Sequence, residues 1–257
     1  MYWLKQHIRV TAALIIRETS ARYGNKPGGY AWAILDPLAH VAMMTFIFGA
    51  LARTPPIGTD FALFFATGFL PFSAYQGMSQ FVTGAIRANK NLFSYPIVAP
   101  IDAVVSRYIL QLLTSWLVTI IIFAICTSEW SHLQTLDLGV VVASFVLATL
   151  LGLGVGMMNI PLFNDYPLYE KIFGLINRPI LLISGVFFLP ESMPGPMQHV
   201  LYLNPLVHMI MWFRSGIYPE YSATGLDLEF ATLCTAVVVM IGFALFTFSR
   251  SLREDRI

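Results

Sequence analysis

YILQLLTSWLVTIIIFAICT, residues 108–127, runs for twenty positions without a charged side chain. A helix needs about 20 mostly apolar residues to cross the hydrocarbon core of a bilayer, so this stretch reads as a membrane span. The rest of the chain agrees: its 257 residues are 57% hydrophobic and 11% charged, where soluble domains carry about 25% charge. Further runs of similar character cover 30–51, 61–82, 138–158 and 230–248. A shorter run over 172–189 contains Arg178, which is expected near an end, where it can snorkel to the interface. The reading is an all-α membrane protein with six transmembrane helices: 1–29 as an N-terminal cytoplasmic interfacial helix, 30–249 as the membrane domain, and 250–257 as a cytoplasmic tail.

Lys and Arg concentrate in cytoplasmic loops. With both termini inside, all but Arg53 and Arg214 of the 15 Lys and Arg fall on the inner side, while Asp60, Glu129, Asp137, Glu191, Glu220, Asp227 and Glu229 fall outside. The N-terminal 29 residues lack a cleavable signal peptide, since their apolar run, 12–16, is five residues long and ends at Arg17. Instead Leu4, Ile8, Thr11 and Ile15 share one helical face and Lys5, Arg9 and Arg17 another, the pattern of a helix lying on a membrane surface.

Between the outer ends of the fifth and sixth runs, 197–213 is apolar but broken at Asn204-Pro205. Two short re-entrant helices are expected there, because irregular backbone at membrane depth must lie against protein or a water-filled cavity; they form a candidate lid over an exit path. In the fourth run Ser144, Ala148, Gly152 and Gly156 recur every four residues, a flat stripe for close helix packing. GLGVG at 152–156 lacks the third glycine and the strand-turn-helix setting of a nucleotide loop.

Catalytic patterns are missing. The sequence has no GxxxxGK[ST], HExxH or GxSxG, and its five histidines are scattered. Cys126 and Cys234 sit in apolar runs without metal-ligand spacing, and the net charge of +1 does not suit nucleic-acid binding. Ionisable residues inside spans mark ion pathways, yet only Asp36, His40 and Arg107 lie there, all toward the inner ends. Asp36 is expected to pair with Arg22 or Arg107 at this inner interface. A chain of this kind carries no energy source of its own, so uphill transport requires a partner.

Three blocks now stand out: RETSARYGNKPGGYAWAILDPLAH (17–40), GAIRANKNLFSYPIVAPID (84–102) and NPLVH (204–208). They closely resemble the permease subunit of capsular-polysaccharide exporters, within the type-2 class of ABC transporters, and the likeness covers nearly the whole chain. The family usually has Glu where this chain has Asp36, and an acid soon after NPLVH where this chain has 209–212 apolar. The resemblance implies a homodimer of six-span subunits in the bacterial inner membrane. Each subunit docks on a separate cytoplasmic ATPase, which binds ATP and Mg, with no cofactor in this chain. It also implies a lipid-linked polysaccharide substrate and periplasmic and outer-membrane export partners. Another lipid-linked glycan, such as an O-antigen or teichoic acid, is the alternative cargo, and an ion-coupled carrier the alternative class.

In such exporters the first cytoplasmic loop is a coupling helix. By that resemblance Arg87, Asn89, Lys90, Leu92, Phe93, Ser94, Tyr95 and Pro96 are the ATPase-coupling residues, with Leu92, Phe93 and Tyr95 as apolar knobs for a groove. Pro96 and Pro100 would end the helix and set its angle to the next span. A plain interfacial loop with aromatics at headgroup level is the competing reading. The inner loop 161–171, acidic at Asp165 and Glu170, is a second candidate contact. Sugars stack their C–H faces on rings, so Tyr30, Trp32, Phe72, Tyr75, Trp116 and Tyr202 are candidate path residues, each against the alternative of helix packing. Arg214 either draws an acidic glycan at the exit or pairs with Glu191 or Glu220.

Overall fold

The computed structural model describes residues 2–23, 28–50, 54–95, 97–126 and 136–249. Within them every regular element is helical: α1 (Tyr2–Tyr23), α2 (Ala31–Ala50), α3 (Phe61–Thr83), α4 (Ala85–Asn89), α5 (Pro100–Cys126), α6 (Leu138–Asp165), α7 (Pro167–Asn177), α8 (Gly195–Tyr202), α9 (Pro205–Ser215) and α10 (Leu228–Phe248). The expected tail, 250–257, lies outside the described residues.

The bundle is organised around α3, whose buried residues cover its whole length, from Leu63 to Val82. It packs on α6, α5, α2 and α9, and α10 closes on the far side of α6. Small residues set the α3–α6 distance. The Ser144-Ala148-Gly152-Gly156 stripe faces α3, and a Cβ at Gly152 would come within 2.5 Å of the Tyr75 carbonyl oxygen. Gly154, on the opposite side of the same helix, abuts α10 at Val238 and Val239.

Helix caps gather at one end of the bundle. Asp60 accepts from the Ala62 amide (2.8 Å), Asp137 from Val140 (3.2 Å), Asp227 from Phe230 (2.8 Å) and Asn204 from Leu206 (3.1 Å). Each cap satisfies an amide the helix cannot, worth about 0.5–2 kcal/mol. The carboxylates also face the positive ends of the helix dipoles. Three of the acids assigned to the outer side thus have a structural task.

Among the described residues four helices are long and apolar enough to cross a membrane: α2, α5, α6 and α10. α3 is equally long, at 23 residues, but carries Ser73, Gln76, Ser79 and Gln80. The expected fifth span over 172–189 is not one helix. α7 ends at Asn177, a 3-10 turn follows at Pro179–Leu181, and the chain then turns through Gly185 at φ +72°. Pro179 has no amide to donate and its ring obstructs the preceding turn.

This break exposes carbonyls that need donors, and α9 supplies them. Arg214 is fully buried (0% exposed). Its Nη1 donates to Gly185 O (2.8 Å) and Phe188 O (3.2 Å), its Nη2 to Val186 O (2.8 Å), and its carbon lies 4.4 Å from the Phe64 ring centre. Gly68 leaves the room: a Cβ there would sit 2.7 Å from Nη2. The expected pairing of Arg214 with Glu191 or Glu220 is therefore replaced by a carbonyl clamp, and Glu191 instead accepts from the Tyr221 hydroxyl (2.7 Å). The two short helices expected around Asn204-Pro205 are α8 and α9. Met209, Ile210 and Met211, where the resembled family has an acid nearby, are buried packing residues.

Candidate functional site

The connection from α3 to α5 consists of Gly84, α4, a 3-10 turn over Lys90–Leu92 and further turns up to α5. It is compact rather than one continuous helix. Pro100 is the first residue of α5, where a missing amide costs nothing, and Pro96 lies outside the described residues. Of the eight residues assigned to coupling, the seven described ones separate into exposed and inward-facing groups. Arg87, Lys90, Ser94 and Tyr95 are exposed, and Tyr95 (61% exposed) stands beside exposed Ile97. Leu92 and Phe93 are half-buried, and Phe93 packs against the core cluster that includes Met78, Val82, Ala85 and Ile86, which roots the segment.

Asn89 is completely buried and faces the protein. Its Nδ2 donates to Glu18 Oε1 (2.6 Å) and Ala85 O (2.9 Å), while its Oδ1 accepts from Arg17 Nη1 (2.5 Å). Glu18 in turn holds Arg107 in a two-toothed pair, with Nε to Oε1 and Nη2 to Oε2 both 3.0 Å. Arg107 Nη1 reaches Phe81 O (2.7 Å). One buried cluster therefore ties α1, the end of α3, the coupling segment and α5 together. His7 extends the seam, its Nδ1 lying 2.9 Å from Asp102 Oδ1, and Arg22 donates to Gln111 Oε1 (2.7 Å).

The face that α1 turns to the protein thus carries His7, Leu14, Glu18 and Arg22, while Ile8 and Ile16 stay exposed. Of the two partners expected for Asp36, Arg107 is taken by Glu18, while Arg22 lines the same groove as Asp36, which is exposed. Its backbone carbonyl faces His40 Nδ1 at 2.9 Å. Sequence reasoning missed Glu18. It is the lone acid in residues 1–35, set in a basic helix, and that contrast was the available signal.

The proposed path residues are not gathered on one surface. Phe72 and Tyr75 are buried in the central core, on faces of α3 that meet neighbouring helices. Trp116 packs on Phe145 with ring centres 4.5 Å apart. Tyr202 donates to Thr224 O (3.1 Å) at the capped end. Arg214 is the clamp already described. Trp32 lines an open groove, of about 310 Å³, with Arg22, Asp36, Gln111 and Thr114; Tyr30 joins its edge through a 2.6 Å hydrogen bond to Thr114 Oγ1. A larger cleft of about 580 Å³ lies between α3, α4, the end of α6 and α7, with Arg87, Lys90 and Arg178 on its walls. The acidic inner loop meets the coupling segment here, Glu170 Oε2 lying 3.5 Å from Arg87 Nη2.

Fold and site define a multi-pass, all-helical membrane protein that offers a short aromatic-tipped segment at one end of its bundle. The chain belongs to the ABC-2 type transporter family, whose pattern matches residues 9–218, and is thus a transport subunit. It is 31% identical over 234 residues to the polysialic acid transport protein KpsM of Escherichia coli, covering 91% of each chain. It is 24% identical to the capsule polysaccharide export inner-membrane protein CtrC of Neisseria meningitidis serogroup A, covering 92% of this chain and 89% of that protein. The capsule polysaccharide export inner-membrane protein BexB of Haemophilus influenzae is similar at 23% identity, with the same coverage.

Proposed function

We propose that this chain is the inner-membrane permease of an ATP-driven exporter that moves a lipid-linked capsular polysaccharide from the cytoplasm toward the periplasm. The similarity over nine-tenths of the chain to capsule and polysialic acid exporters carries the reading. It works as a homodimer with six crossings per subunit, the 172–189 segment serving as the broken fifth one and α8 and α9 as re-entrant outer helices. Both termini face the cytoplasm, in keeping with the distribution of Lys and Arg, so α1 lies at the inner membrane surface. A separate cytoplasmic ATPase binds ATP and Mg and docks on the coupling segment. Periplasmic and outer-membrane proteins receive the glycan. Deleting the gene tests the assignment: lipid-linked glycan is expected to accumulate in the cytoplasm and vanish from the surface. An unchanged surface coat would refute it.

In this reading Tyr95 and Ile97, exposed at the tip, enter a groove of the ATPase, while Asn89 and Phe93 hold the segment to the bundle. Replacing Tyr95 and Ile97 together with Ala is expected to reduce recovery of the ATPase with affinity-tagged permease by about tenfold or more, as for loss of a docking anchor. Membrane insertion and melting temperature should not change. Full recovery of the ATPase would show that docking lies elsewhere.

A further inference from the structure

The cleft of about 580 Å³ beside the coupling segment has the makings of a ligand site. Its volume falls within the range of about 300–1,000 Å³ typical of small-molecule pockets. One wall is a polar stripe on α3, Gln76, Gln80 and Thr83, at helical spacing. The facing wall is α7, which brings Glu170, Phe173 and Asn177 at the same spacing.

Three features call for a ligand. First, Arg178 lines the cleft and is exposed. At 1.5 Å rise per residue it stands about 16 Å along α7 from Pro167, just before the apolar run 179–189. A guanidinium there is costly against lipid and belongs in a water-filled space or beside an anion. Second, the Asn177 side chain is more than nine-tenths buried, and its Oδ1 has no hydrogen-bond partner among the described residues. A buried unpaired acceptor costs about 1–3 kcal/mol until a donor reaches it. Third, Arg87 is only loosely engaged, 3.2 Å from Phe163 O and 3.5 Å from Glu170, with both charged side chains about half exposed or more. Such a pair is worth about 0–1 kcal/mol, so a second carboxylate can take the guanidinium from Glu170.

We infer that this cleft binds an acidic saccharide unit of the transported glycan. The carboxylate of one unit pairs with Arg178 and that of a neighbouring unit with Arg87, a hydroxyl donates to Asn177 Oδ1, and a sugar C–H face lies on the Phe173 ring. A bare phosphate would satisfy the cations but has no C–H face to lay on the Phe173 ring. The site rests on the exporter reading and adds to it a link between cargo and engine. Arg87 belongs to the coupling segment, so an occupied cleft loosens its tie to α7 through Glu170.

The test titrates the full-length permease in detergent with tetragalacturonate, with neutral maltotetraose and with inorganic phosphate, in parallel with a surface-glycan assay in cells. Tetragalacturonate is expected to bind saturably, about tenfold more weakly in Arg178→Gln, as for loss of a charged hydrogen bond. Arg178→Lys should recover much of the loss. Glu170→Gln should tighten binding by up to about fivefold, and maltotetraose should bind weakly and equally to all variants. Equal tetragalacturonate affinity in wild type and Arg178→Gln would overturn the site, as would absence of saturable binding or phosphate binding alone. Surface glycan restored equally by both proteins also counts against the site while leaving the exporter reading intact. A wild type that restores none removes both.

Discussion

Arg107→Ala is expected to cost about 3–5 kcal/mol of stability, the usual penalty for breaking a buried ion pair from one side. Both partners are nearly inaccessible, Glu18 at 4% and Arg107 at 6% exposed. Removing the guanidinium leaves the Glu18 carboxylate in a low-dielectric seam with the Asn89 amide as its remaining described donor, and it strips a 2.7 Å hydrogen bond from Phe81 O. For a chain of this size the loss corresponds to a fall in melting temperature of about 6–20 °C. Glu18→Ala should do similar damage, stranding the cation. Glu18→Gln with Arg107→Gln should be milder than the two single losses added, because neither leaves a lone charge; coupling of this kind is read from the double-mutant cycle. The functional signature differs from that of the docking tip. With α1 detached, the coupling segment loses its buried root at Asn89, so glycan export should fail in membranes where the ATPase still co-purifies. Melting and export both at wild-type levels in Arg107→Ala would disprove the anchoring role.

The parts of this fold legible in the sequence are those fixed by local physics. Long apolar runs with few charges mark α2, α5, α6 and α10 because the bilayer demands length and apolarity together. Asn204-Pro205 separates α8 from α9 because proline starts a helix well and continues one badly. The four-residue repeat of small side chains identifies the packed face of α6. What escaped depends on distant partners. Hydropathy carries smoothly through 172–189, yet Pro179 ends the helix, and the carbonyls thus released are met by Arg214, more than 25 positions along the chain. Arg214 looks like a surface base in an outer loop because no local feature names those acceptors. Asn89 reads as exposed within a polar loop, and its burial follows only from Glu18 and Arg17, some 70 residues earlier. Phe72 and Tyr75 resemble path residues as aromatics on a span. Their faces of α3, however, are covered by neighbouring helices, a fact about assembly rather than about period.

Gly152→Leu is expected to prevent folding altogether, and this gives the sharpest test of the α3–α6 seam. The first added carbon alone would lie 2.5 Å from Tyr75 O and 2.9 Å from Met78 Cβ; at Gly156 it would lie 2.7 Å from Val82 Cβ and 2.9 Å from Ser79 O. Backbone atoms cannot swing aside as a lysine tip can, so α3 and α6 would have to part along their length. Overpacking typically costs about 1–3 kcal/mol where side chains can shift, and here two helix backbones must move, while membrane helices have little beyond close packing and interhelical hydrogen bonds to hold them together. Even Gly156→Ala should lower the melting temperature measurably. Gly174→Ala is the matched control, since nothing lies within 4 Å of its Cβ position, and alanine there should improve the propensity of α7 slightly. Fluorescence-detected size exclusion of tagged protein reads the outcome directly: aggregate for Gly152→Leu, a monodisperse peak for Gly174→Ala. A monodisperse Gly152→Leu with wild-type melting would mean that the two helices do not meet along this stripe, and with it would fall the placement of α3 at the centre of the bundle.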